Sequence, residues 1–152
     1  MRQKSSGFTF LEILIVLGII GVLATVLMVV INPGRQLAKA RDVQRESDIY
    51  AILSSIYQYS REHSGDLPDT DGNPSTNNFP TSLTCIGSTG PCFNLGAAGD
   101  SGDTIVPVYM AQLPKDPKTG TDQDTGYLIY VDANNRLVAS ASGETKTIGI
   151  TQ

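Results

Sequence analysis

The chain is 152 residues long, about the size of one ordinary domain, and its Lys+Arg 11 against Asp+Glu 15 give a formal net charge of -4. That sign argues against a general nucleic-acid binder, which carries a basic face, and one His with two Cys is too few for the common zinc sites. Apolar residues make up 40% of the chain but are concentrated near one end, so it reads neither as a uniform soluble globule nor as a multi-span membrane protein.

The first seven residues, Met1 to Gly7, form a short polar leader with two cations, Arg2 and Lys4. The 24 residues from Phe8 to Ile31 follow, and only Thr9, Glu12 and Thr25 among them are polar. As a helix this run reaches about 36 Å, enough to cross a bilayer with some tilt. It is too long for the apolar core of a secretory signal, and Ala38-Lys39-Ala40 matches a signal-peptidase pattern only by chance, inside a helical stretch. Asn32-Pro33-Gly34 predicts a kink or short break, because proline lacks an N–H and disfavours helical geometry in the residue before it.

Helical signal resumes after the break. Residues 35–48 are dense in charge, with Arg35, Lys39, Arg41, Asp42, Arg45, Glu46 and Asp48, and are expected at or beyond the membrane edge, available for salt bridges. Ile49, Ile52, Leu53 and Ile56 then fall at i, i+3, i+4 and i+7, one buried stripe of an amphipathic helix flanked by Tyr50 and Tyr57. Ser64-Gly65 and Leu67-Pro68 end it.

Residues 65–126 are rich in Pro, Gly, Asn and Asp and read as loops, with a short strand expected at Ile105–Met110. Tyr127–Val131 and Arg136–Ala141 read as a hairpin around Asp132-Ala133-Asn134-Asn135, and Lys146–Ile150 as a last strand. A hairpin is marginal alone, so its apolar face is expected on the Ile49/Leu53/Ile56 stripe. The expected fold is α+β: a long N-terminal helix, membrane-spanning in its first half and amphipathic in its second, packed on a small antiparallel C-terminal sheet. The expected divisions are leader 1–7, membrane-spanning helix 8–31, amphipathic helix 32–64 and loop-rich head 65–152.

Glu12 is the most informative residue. A carboxylate inside an apolar run costs about 2.5–3.5 kcal/mol near a helix centre and less near the interface. It is either solvated among headgroups or matched by a partner. Lys4-Ser5-Ser6-Gly7-Phe8-Thr9-Phe10-Leu11-Glu12, followed by the apolar Ile13–Ile31, closely resembles the N-terminus of type IV prepilins and type II secretion pseudopilins. The Gly18-Ile19-Ile20-Gly21 spacing is similar to that family's helix. The resemblance is strong over residues 1–31 and fades through the head.

The resemblance implies that a prepilin peptidase cuts between Gly7 and Phe8 on the cytoplasmic side and N-methylates Phe8. It also implies that Glu12 meets the Phe8 amine of a neighbouring subunit as a filament assembles. The physics agrees, since a carboxylate and an ammonium that both lack water gain most from each other and so set a register. Glu12 lies about a turn beyond Phe8 of its own chain, so a neighbour shifted by roughly a turn is the easier partner. Cleavage removes Arg2 and Lys4 and takes the formal charge from -4 to -6.

The implied partners are other copies of the chain and related pilins, the peptidase, an inner-membrane assembly platform and the lipid bilayer, with no nucleic acid. Counting cations alone, Arg35, Lys39, Arg41 and Arg45 favour the C-terminal side as cytoplasmic; the resemblance requires the opposite. The implied location is a single-pass inner membrane with leader inside and head outside, then a filament at the cell surface or in the periplasm.

Cys85 and Cys92 enclose six residues and read as a disulfide stapling a loop in an oxidising compartment, or as two thiols in a reducing one. Leu113-Pro114-Lys115-Asp116-Pro117 with Gly126-Tyr127 is similar to the loop before the last strands of pilin-like proteins, a region that binds calcium in major pseudopilins. Asp116, Asp122 and Asp124 offer hard oxygen ligands there, or are plain solvated turn residues, as are Asp69 and Asp71. Otherwise no cofactor is expected. His63, the single histidine, has no Ser or Cys nucleophile motif to support it, so no enzyme is expected. The competing reading is a membrane-anchored extracytoplasmic binding module whose signal anchor is never cleaved, although a plain anchor has no use for Glu12.

Overall fold

The computed structural model describes residues 7–73, 75–100 and 102–152. The expected leader, apart from Gly7, lies outside the described residues. The chain divides into two compact units, one ending at Leu37 and one running from Ala38 to Gln152.

In the first unit, helix α1 spans Phe10–Ile31 and every one of its side chains is exposed. A helix that is apolar on all sides has no internal core to join and belongs in lipid or among other apolar helices. Its length and composition suffice to cross a membrane. It begins two residues later than the apolar run, because Thr9 holds an extended backbone (φ -81°, ψ 152°) and serves as N-cap.

The break falls where expected. Asn32 takes a left-handed conformation (φ 44°), which asparagine tolerates better than most residues, and stops α1. The same residue starts helix α2 (Pro33–Glu62). Its side-chain oxygen accepts from the Arg35 N–H at 3.2 Å, and Pro33 takes the first helical position, where a missing N–H costs nothing. At its far end α2 stops at Glu62, and the Gly65 N–H reaches back to the Ser60 carbonyl at 2.8 Å across left-handed Ser64 and Gly65.

The second unit is the head. Four antiparallel strands run in the order β1 (Thr84–Cys85), β2 (Tyr127–Val131), β3 (Leu137–Ala141) and β4 (Ile148–Thr151). Tyr127 opposes Ala141 and Val131 opposes Leu137 across the central hairpin. Its turn closes on Asp132, whose carboxylate accepts from the Asn134 and Arg136 N–H groups, with Asn135 at φ 59°. Alternate residues of β2 and β3 point inward: Tyr127 and Ile129, then Leu137, Ala139 and Ala141.

These residues bury the predicted stripe. Ile49, Ile52, Leu53, Ile56 and Tyr59 of α2 join them with Phe79, Ile86, Phe93, Leu95, Ala98 and Ile105 from the loops in one core. Each large aliphatic side chain contributes about 1.5–3 kcal/mol of burial. The layout is thus α+β, a long apolar helix and a second helix with a small antiparallel sheet.

One expected element fails. Ile105–Met110 is not a strand but a compact turn in which the Met110 N–H returns to the Ile105 carbonyl at 3.0 Å. Pro107 at its centre has no N–H to give a ladder, and its peptide bond to Val106 is cis. Within the charge-dense stretch, Asp42, Arg45 and Asp48 are buried in the head, a burial that sequence reasoning did not anticipate.

Candidate functional site

The start of α1 carries the residues singled out in sequence. Phe8 is 78% exposed. The Glu12 N–H donates to Thr9 Oγ1 at 3.3 Å, and the Thr9 N–H donates to Glu12 Oε2 at 3.5 Å, a reciprocal capping box. The carboxylate therefore reaches back to the amide that joins Thr9 to Phe8. Side chains on a helix lean toward its N-terminus, so the distance from Glu12 to its own chain's Phe8 is shorter than the one-turn spacing suggests. The sequence signal for this role is Thr9-x-x-Glu12 ahead of an apolar run.

In the head the dominant feature is a knot of charge around Arg45. Its Nε donates to Asp116 Oδ2 at 2.5 Å, its Nη1 to Asp42 Oδ1 at 2.8 Å and to Glu144 Oε1 at 3.2 Å. Arg41 pairs with both oxygens of Glu144 at 2.6 and 2.8 Å, and Lys118 Nζ joins at 3.0 Å. The Arg45 guanidinium holds the Asp116 carboxyl well below the usual range, helped by the Lys118 and Thr119 N–H groups. The Thr145 hydroxyl and the Glu144 N–H do the same for Asp42. Arg41 and Lys118 lower Glu144 to about 2. Close by, the Tyr127 hydroxyl donates to Asp48 Oδ2 at 2.6 Å, and burial raises that phenol well above its ordinary value.

Cys85 and Cys92 form a disulfide, with S–S 2.08 Å. The loop it closes is tied to the rest of the head by Ser88 N–H to the Asp122 carbonyl at 2.9 Å and by Thr125 Oγ1 to the Ile86 carbonyl at 2.8 Å. Gly87 lies so close to the Gln123 carbonyl oxygen that an added Cβ would stand 1.9 Å from it.

The three aspartates offered for calcium are not brought together. Asp116 faces Arg45, Asp122 pairs with exposed Lys115 at 2.7 Å, and Asp124 accepts from the Gly126 N–H at 2.9 Å. Among the described residues, the one trio of acid, thiol or imidazole ligand atoms within 4.8 Å of one another is Cys85, Cys92 and Asp124, and two of these are spent in the disulfide. The arrangement does not fit the cation cage that the resemblance implies.

Asp69 is buried and caps Gly72 at 3.3 Å, and Asp71 caps Asn73 at 2.8 Å. His63 stacks on Tyr59 with ring centroids 3.9 Å apart, its Nδ1 lies 3.0 Å from the Tyr59 carbonyl, and Asp103 stands 3.9 Å from Nε2.

Residues 2–28 match a family model described as the prokaryotic N-terminal methylation motif. That motif is the signature of type IV pilins and pseudopilins, and it supports a pilin-like or pseudopilin protein. No curated protein and no solved structure matches the chain.

Proposed function

We propose that the chain is the precursor of a filament subunit, of a type IV pilus or a type II secretion pseudopilus. A prepilin peptidase removes residues 1–7 and methylates Phe8, and the mature chain polymerises through α1. The observation that carries this reading is the methylation motif over residues 2–28, coinciding with a helix that is apolar on every side and exposed along its whole length.

The physical steps follow from the residues. Before assembly α1 sits in the inner membrane with the leader on the cytoplasmic side and the head outside. Lipid is as apolar as leucine, so leaving it for a bundle of like helices gains little hydrophobic free energy. Packing and polar pairing must supply the preference, aided by work from the assembly platform. Gly18 and Gly21 support close packing: among the described residues, and apart from the helix's own backbone, no atom stands within 4 Å of a Cβ placed there.

Glu12 supplies the polar pairing. Cleavage before Phe8 creates an ammonium at the end of the helix, and the carboxylate already leans toward that end. In lipid it caps its own helix; in the filament it pairs with the new amine of a neighbouring copy and fixes the axial register. The partners are accordingly copies of this chain and related pilins.

The test is electron microscopy of cells with and without the gene, with filaments labelled by antibody to the head. Filaments carrying the label, lost on deletion, are expected. A head that stays membrane-bound in cells making no filament of either kind would contradict the proposal.

A further inference from the structure

Arg45 is 2% exposed, and two of the three acids it touches, Asp116 and Asp42, each organise a different piece of backbone. Asp116 takes Arg45 Nε on Oδ2 and Nη2 on Oδ1 at 3.2 Å. The same Oδ1 accepts from the Lys118 N–H at 2.8 Å, the Thr119 N–H at 2.9 Å and Thr119 Oγ1 at 3.2 Å, folding the loop that follows. Asp42 accepts from the Glu144 N–H at 2.8 Å and from the N–H and hydroxyl of Thr145 at 2.7 and 2.6 Å, fixing the turn between β3 and β4. One guanidinium thus stands where a helix, a long loop and a turn meet.

A cavity of about 320 Å³ opens beside Arg45, Asp116, Lys118 and Glu144, so charge rather than space decides against a second cation. A Cβ on Gly126 would lie 2.8 Å from that of Asp116, and one on Gly120 would lie 2.4 Å from the Asp116 nitrogen. Arg41, Arg45 and Lys118 already balance Asp42, Asp116 and Glu144 charge for charge. A divalent ion on Asp116 would have to displace Arg45 Nε and Nη2 and leave the buried guanidinium with only its Nη1 contacts to Asp42 and Glu144, which is unfavourable.

We infer that Arg45 is the resident cation of the head, doing from within the chain what the resemblance assigns to calcium in this loop, so that the head folds without calcium and is not gated by it. This does not depend on the filament reading. Arginine suits the task because its planar fork holds Asp116 through Nε and Nη2 while Nη1 reaches Asp42 and Glu144.

The test uses the full-length chain in detergent micelles, melted with excess EDTA and with added calcium chloride, and digested with trypsin, which cuts after Lys115 and Lys118. The wild type is expected to melt at the same temperature in both buffers and to resist cleavage in that loop. Arg45→Gln is expected to lower the melting temperature by about 10 °C or more in either buffer and to open the loop to trypsin. If Arg45→Gln yields no folded protein, Arg45→Lys takes its place, with a lowered melting temperature equally indifferent to calcium. A wild-type head stabilised by calcium or destabilised by EDTA overturns the inference, as does an Arg45→Gln head that melts like the wild type.

Discussion

At the first turn of α1, Thr9 and Glu12 satisfy each other's backbone donors, a cap of about 1 kcal/mol. Glutamine caps in the same way but carries no charge, so Glu12→Gln separates the two roles of this side chain. The Glu12→Gln subunit is expected to insert and to be cleaved at the wild-type level, as judged by immunoblot, yet to leave no filaments in the sheared surface fraction. Filaments at the normal level would show that the charge has no part in assembly. In the head, Asp42, Asp116 and Glu144 all bind a proton less readily folded than unfolded. Protons therefore favour the unfolded chain, and the stabilisation these acids give is complete above their ordinary values of 3.8 and 4.5 and lost as pH falls through the folded ones, about 2 for Glu144. Urea midpoints followed by circular dichroism should be level from neutral pH to about 5 and fall below about 4. A midpoint unchanged down to pH 2 would remove the knot from the stability of the head. Glu12 was legible in sequence as a costly acid, and its cap was written there too, in Thr9. Arg45 was not legible: it sits among charges that look like a solvated face, and its partners Asp116 and Glu144 are 71 and 99 residues away.

Among the elements, α2 was the easiest to read because one face repeats with the helical period and the head has one core to offer it. Ile52 lies at the centre of that face and is completely buried. Ile52→Ala removes three carbon atoms from a closed core and is expected to destabilise the head by about 2–5 kcal/mol in equilibrium urea unfolding. A loss under about 1 kcal/mol would mean that the helix and sheet do not share a core as placed here. The strands β2 and β3 were equally plain, as two short runs on either side of the Asp132-Ala133-Asn134-Asn135 turn. The apolar run Ile105–Met110 resembles a strand in composition, but Pro107 lacks the donor that a place inside a sheet requires. The two-residue β1 is too short to leave any periodic trace; it forms because β2 offers it a free edge and the neighbouring disulfide holds it near.

Across the whole molecule, the chain divides its apolar residues between two fates. The head closes its own around the α2 stripe, while α1 closes none. A helix left in that state must have company from outside the chain, and the methylation motif at its start points to which kind. This division was visible in composition alone. The path of residues 65–126 was not, because its order comes from single hydrogen bonds, a disulfide and glycines at close approaches rather than from any repeating pattern. The central claim is that the precursor is cut and modified at the head of α1. Intact-mass and terminal-peptide mass spectrometry of the protein recovered from cell membranes tests it most directly. The expected product lacks the first seven residues and begins at Phe8 with one added methyl group; a chain that still begins at Met1 would contradict the proposed processing.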